Sequence, residues 1–161
     1  MQTAHNIAHY LIGFANDHGD FISNLKLQKL LYYAQGWHLA IYGTRLFPDK
    51  FQAWVHGPAV PSIYQCYRAF GHRPIEIDAS LENLSIRPSL TPQQDEFLNE
   101  LLGVYFQYNA YTLELMTHRE TPWIQARQGI PADEPSQNEL DEDIMKAYFT
   151  ALRSESESAS T

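Results

Sequence analysis

Apolar residues recur at helical spacing through most of the chain. Between Ala4 and Asn16, Ile7, Tyr10, Leu11 and Phe14 fall at i, i+3, i+4 and i+7, one face of an amphipathic helix, and Gly19 supplies its stop. A longer helix is predicted from about Leu25 to Tyr42. Leu27, Leu30, Leu31, Ala34, His38 and Ile41 share its inner face, Ser23 or Asn24 caps it, and Gly43 ends it. Thr91-Pro92-Gln93-Gln94 is a start signal: a capping Thr, a Pro at the first helical position, and a Gln that reaches back to the cap amide. Phe97, Leu101, Val104, Tyr105 and Tyr108 form the stripe that follows. Asn109 allows a break and restart, with Leu113 and Met116 turned inward. Thr121-Pro122 opens a short helix through Arg127, which Gly129 stops. Ser136 and Glu139 have capping-box spacing ahead of a last helix, Leu140 to Leu152.

The pattern changes between the second and third helices. Leu46-Phe47, a Pro48-Asp49-Lys50 turn and Phe51 to Val55 predict a short β-hairpin. Pro58 and Pro61 lack an amide hydrogen, so no central strand passes through them. The chain is expected to bend at Gly57-Pro58 and enter a helix near Pro61, with Ile63, Tyr64, Tyr67 and Phe70 on one side. Pro74 to Ile77 reads as a short strand and Arg87 to Leu90 as loop. Ser154 to Thr161 has no apolar anchor and is expected to be disordered. The fold class is mainly α: a compact single-domain helical bundle with a small inserted β-hairpin, the domain at 1–153 and a Ser/Glu tail at 154–161.

Composition narrows the function. At 161 residues and 44% hydrophobic, the chain suits one core. It shows no apolar run of membrane-spanning length and no secretory start, so a cytoplasmic location is expected. Cys66 is the sole cysteine, which excludes an internal disulfide and any cysteine-rich zinc site. The formal charge of −8 is unevenly placed: residues 1–91 hold 7 basic and 6 acidic side chains, residues 92–161 hold 4 and 13. Such a surface repels phosphate backbones, so nucleic acid is a poor partner and a basic protein a better one.

Candidate chemistry is thin. His5 and His9 project from one helix face at a spacing that suits zinc, but Asn6 stands where a zinc protease needs glutamate, and no third ligand shows in the sequence. A solvated helix face is the simpler reading. His118-x-Glu120 matches part of a zinc-deaminase signature, yet the cysteine pair is absent. His118 is instead read as ending a helix, where its charge suits the dipole. Phosphate loops and nucleophile elbows are lacking. Cys66 reads as buried and inert. His56 has no base or nucleophile nearby in sequence, so its expected role is to bond the backbone groups that the prolines leave unpaired. No catalytic, cofactor or metal residues are therefore assigned. Trp54 fits a core residue, while Tyr64 and Tyr67 on a rigid, proline-shaped edge suit a protein-binding surface.

Three stretches together carry a resemblance: Asn24–Phe47 (NLKLQKLLYYAQGWHLAIYGTRLF), Ala53–Tyr64 (AWVHGPAVPSIY) and Leu115–Arg127 (LMTHRETPWIQAR), followed by IMKAYF at Ile144–Phe149. In that order they resemble the Panacea domain, the SocA-like antitoxin domain also found in phage-associated GepA proteins, and thus carry an association with phage defence. The family motifs map onto Leu27, Gln28, Leu30, Tyr32, Gln35, Trp37, Trp54, His56, Gly57, Pro58, Pro61, Tyr64, His118, Pro122 and Trp123, read mainly as fold determinants. The resemblance implies a non-enzymatic antitoxin that neutralises a toxin protein by direct binding. That toxin is expected to be basic and encoded by a neighbouring gene. Tyr64, Tyr67, Glu114 and Glu120 are the candidate partner-binding residues, no cofactor is implied, and a homodimer is possible. The alternative functions are a proteolytic adaptor that delivers a bound toxin to an energy-dependent protease and, third, a metal-dependent hydrolase built on His56, His118 and a carboxylate.

Overall fold

The computed structural model describes residues 1–76 and 90–159. The expectations that fall on 77–89, including the far end of the Pro74–Ile77 strand and most of the Arg87–Leu90 loop, lie outside those residues. Pro74–Glu76 is not a strand, although Ile75 is buried and its amide bonds the Ile22 carbonyl.

The described elements are α1 (Ala4–Asp17), α2 (Asn24–Tyr42), β1 (Gln52–Trp54), β2 (Gly57–Ala59), α3 (Pro61–Cys66), a 3-10 turn (Arg68–Phe70), α4 (Pro92–Tyr105), α5 (Ala110–His118), α6 (Thr121–Ala126) and α7 (Glu142–Ala159). The mainly α reading with a small hairpin holds. Local start signals act as their chemistry requires. Ser23 caps α2, Asn109 caps α5, and Thr91 with Gln94 makes a complete capping box on α4. For α7 the expected box does not form: Asp141, not Ser136, accepts from the Asp143 and Ile144 amides.

α2 is the central element, and its burial explains its composition. Leu27, Leu30, Leu31, Tyr32, Tyr33 and Ala34 are buried, but so are Asn24, Gln28, Lys29 and Gln35. A helix enclosed on nearly all sides must find a partner for each such polar group. α7 packs closest against it. The Phe149 ring sits among Tyr32, Tyr33 and Trp37, with centroids 5.6, 6.0 and 5.3 Å away, and directly over Gly36, where a Cβ would overlap it. Val104 and Ile41, expected inside, lie at the surface.

The hairpin differs from expectation by one strand. β1 pairs not with Leu46-Phe47 but with β2, in the register Gln52↔Ala59, Ala53↔Pro58 and Trp54↔Gly57. Gln35 is the reason. Its Oε1 accepts from the Leu46 and Phe47 amides and its Nε2 donates to the Phe47 carbonyl, so that backbone is already satisfied by a side chain. Pro58 is tolerated because β2 is an edge strand. The other edge of β1 is covered by residues 138–140: Ala53 donates to the Asn138 carbonyl and Leu140 to that of Phe51.

The residues expected to be a disordered tail continue α7 as far as Ala159. A helix anchored through Met145 and Phe149 extends at little cost through Ala, Glu and Arg, and Arg153 pairs with Glu157 one turn on at 3.5 Å.

Candidate functional site

The segment from Ala53 to Tyr64 is held by side chains from α2, from α6 and from the residue that follows α6. On α2, Asn24 Nδ2 donates to the Tyr64 carbonyl (3.0 Å), Gln28 Oε1 accepts from the Val60 amide (2.8 Å), and Lys29 Nζ donates to the Pro58 carbonyl (2.7 Å). Gln28 is in turn oriented by Asn24 Oδ1 at 3.0 Å. From α6, Trp123 Nε1 donates to the Trp54 carbonyl at 2.8 Å. Just beyond α6, the buried Arg127 guanidinium reaches the carbonyls of Ala53, Pro131 and Glu134. Gly57 has φ +104 and faces the Lys29 and Thr117 side chains closely, so only glycine fits there without strain. These contacts make the hairpin a rigid wedge between α2 and α5.

Its tip reaches solvent at His56. The imidazole does not bond the backbone around the prolines, as expected of it; it is exposed, and its Nδ1 lies 2.7 Å from Glu114 Oε1 on α5. The hairpin turn at Val55-His56 carries the ring outward, away from the groups that Lys29 and Gln28 already satisfy. Behind the tip, His118 stacks on Trp123 with centroids 4.1 Å apart. Burial lowers the His118 pKa, which keeps the ring neutral. It therefore does not serve the α5 dipole as a cation, contrary to expectation.

α5 presents two faces. Leu113 and Thr117 are buried against the core, and Glu114 pairs with the wedge. One helical turn apart on the outer side, Tyr111 and Leu115 are 66% and 38% exposed. Tyr111 lies outside the stretches that carry the family resemblance, and Leu115 opens one of them without being among the mapped motif residues. The signal was available: large apolar residues at i, i+4 on the side opposite Leu113 and Thr117.

The four candidate partner-binding residues separate. Tyr64 is half-buried, with its ring edge-to-face on Trp54 at 4.9 Å, and Trp54 itself is only half-buried. Glu114 is partly buried, its side chain 14% exposed beneath the hairpin tip. Tyr67 is buried. Glu120 is also buried, and accepts from Tyr32 and Tyr33 hydroxyls at 2.9 Å each. Burial pushes its carboxyl up to about 7, against the opposing effect of hydrogen bonds from Tyr33, Tyr32 and Tyr148. Neither of these two can meet a partner without the core opening. Cys66 is exposed rather than buried, since α3 ends there at the surface.

Among the remaining family-motif residues, Leu27 is in the core, Trp37 Nε1 donates to the Tyr105 hydroxyl at 2.8 Å, Pro61 opens α3, and Pro122 is buried at the start of α6. Among the described residues, no helix is long and apolar enough to cross a membrane.

The family model described as "Antitoxin SocA-like, Panacea domain" matches residues 27–124. That span runs from α2 through the wedge and α5 into α6. Antitoxin SocA of Caulobacter vibrioides (strain NA1000 / CB15N) is 37% identical over 110 residues, a match that covers 63% of this chain and 58% of that protein. The chain thus spans less than two thirds of the curated relative that it matches. No solved structure matches.

Proposed function

This chain belongs to the SocA-like antitoxin family with a Panacea domain, and from that premise we propose that it neutralises a cognate toxin protein by binding it directly, without catalysing a reaction. The observation that carries this reading is the outer face of α5. Tyr111 and Leu115 stand exposed one turn apart on a helix whose other side is anchored in the core and braced by the wedge. A rigid helix face with an aromatic anchor loses little entropy on docking. His56, exposed at the hairpin tip and paired with Glu114, provides a polar rim, and Tyr64 lies on the same hairpin–α3 segment.

The acidic balance of residues 92–161 favours a basic partner and speeds encounter with it. A toxin encoded beside this gene and a cytoplasmic site of action complete the reading. A second role, delivery of the bound toxin to an energy-dependent protease, is favoured by one feature: residues 153–158 of α7 are exposed on a helical extension beyond the core.

Co-expression with the neighbouring gene tests both. Growth arrest by the neighbour alone, relieved by this chain and accompanied by co-purification, supports direct neutralisation. A harmless neighbour that does not co-purify contradicts it. Removal of residues 153–161 separates the two roles: full rescue with unchanged toxin half-life eliminates delivery.

A further inference from the structure

His56 covers Glu114. The imidazole side chain is 70% exposed at the hairpin tip, while the Glu114 side chain beneath it keeps little contact with solvent. One bond joins them, between His56 Nδ1 and Glu114 Oε1, across 58 residues of chain. The other carboxylate oxygen has no hydrogen-bond donor among the described residues. On α5, Tyr111, Glu114 and Leu115 fall at i, i+3 and i+4, so the acid borders the exposed tyrosine and leucine.

A carboxylate drawn this far out of water needs strong compensation. His56 offers a single N–H, from a ring that is mostly in water. Lys29 feels the carboxylate from the core, but burial holds the lysine down, so near neutral pH it supplies only part of a charge. His118, also close by, is kept neutral by burial. A guanidinium fits the gap better. It is always charged and turns two parallel N–H groups to a carboxylate. The more strongly hydrated ammonium of lysine brings a single point charge. Arginine is also enriched where binding energy concentrates at protein interfaces. The 13 acidic and 4 basic side chains of residues 92–161 draw a cation towards this half of the chain. Exposed side chains change rotamer in picoseconds to nanoseconds, so the His56 ring is no barrier.

We propose that an arginine of the toxin displaces His56 and pairs with Glu114, beside Tyr111 and Leu115. This rests on the reading of α5 as the docking face and names the charged half of that contact. His56 bonds the carboxylate in the free protein and swings to the rim of the complex.

Calorimetry with the protein encoded by the neighbouring gene tests the pairing, using the full chain as parent, Glu114→Gln, His56→Ala and Leu115→Glu. Glutamine keeps the length of the side chain and an acceptor for His56, and circular dichroism verifies its folding. Glu114→Gln is expected to weaken binding by about 30-fold or more, the cost of truncating a desolvated charge pair. One arginine of the toxin, changed to glutamine, is expected to cost as much against the parent and less than about 3-fold against Glu114→Gln. His56→Ala leaves the carboxylate in place and removes its competitor, so it is expected to tighten binding by about 2–10-fold, the worth of one hydrogen bond. That variant carries the test alone if Glu114→Gln does not fold. Parental affinity in Glu114→Gln, additive losses for every toxin arginine, or an affinity of His56→Ala at or below the parent's overturns the proposal. If Leu115→Glu still abolishes binding in that case, the α5 docking face stands and only the arginine pairing falls. If Leu115→Glu binds like the parent, or the parent does not bind at all, both fall.

Discussion

Lys29 Nζ lies 2.7 Å from the Pro58 carbonyl oxygen, inside the protein. The bond ties the middle of α2 to the edge strand of the wedge. Burial lowers the lysine to about 7, with Glu114 acting weakly in the other direction. A lysine whose folded pKa lies below its unfolded value contributes stability above the unfolded value, and that contribution is lost as pH falls through the folded one. Stability is therefore expected to rise between about pH 7 and 10, by an amount on the order of 4 kcal/mol for this group alone. Urea denaturation at several pH values measures it. Lys29→Met flattens that limb; an unchanged limb in the variant contradicts the assignment.

Glu120 gives the opposite slope. Its carboxyl is raised by burial to about 7. A raised folded pKa contributes stability that is present below the ordinary carboxyl range and lost as pH rises through about 7. These two groups together place a stability minimum near neutrality. Glu120→Gln removes the acid limb, between about pH 4.5 and 7, and costs about 1–3 kcal/mol below pH 5, because the amide cannot accept from all the tyrosines. Denaturation midpoints at pH 5 and 7 that shift equally in the variant and the parent count against a buried protonated carboxyl.

Gly36→Ala tests the approach of α7 to α2. The new Cβ overlaps the Phe149 ring, so either the ring or the helix must move. Overpacking of this kind costs about 1–3 kcal/mol. Adding Phe149→Leu is expected to restore part of the loss, since it clears the overlap. If Gly36→Ala alone leaves the melting temperature unchanged, α7 does not pack as described.

The parts of this fold that were legible in sequence are those decided within one turn of chain. Thr91 and Gln94, Ser23, and Asn109 cap their helices through contacts three residues away. The hairpin was misplaced because its register is set by Gln28, Lys29 and Gln35, side chains drawn from a helix 11 to 32 residues distant. Glu120 reads as a surface charge in any local window. Only the approach of Tyr32 and Tyr33 from 88 and 87 residues away makes it a buried acid. Cys66 reads as core on its own element; the end of α3 at the surface decides otherwise. The Ser/Glu tail lacks an apolar face, so nothing in its composition reveals that an anchored helix carries it forward.

Gln28→Leu tests the wedge. It leaves the Val60 amide without its acceptor in a buried place, at a cost of about 1–3 kcal/mol. Hydrogen exchange at Val60 is expected to rise by more than the global destabilisation accounts for. Equal protection of Val60 in both proteins would show that another acceptor serves it.

The most direct test of the central claim is the affinity of the purified chain for its co-purifying toxin, measured by calorimetry for the parent, Leu115→Glu and Tyr111→Ala. Ile41→Glu serves as a control, an equally exposed apolar residue on α2. The outer face of α5 as the docking surface predicts a loss of about 2 kcal/mol or more for each α5 variant, with the control and all melting temperatures unchanged. Parental affinity in both α5 variants would contradict it.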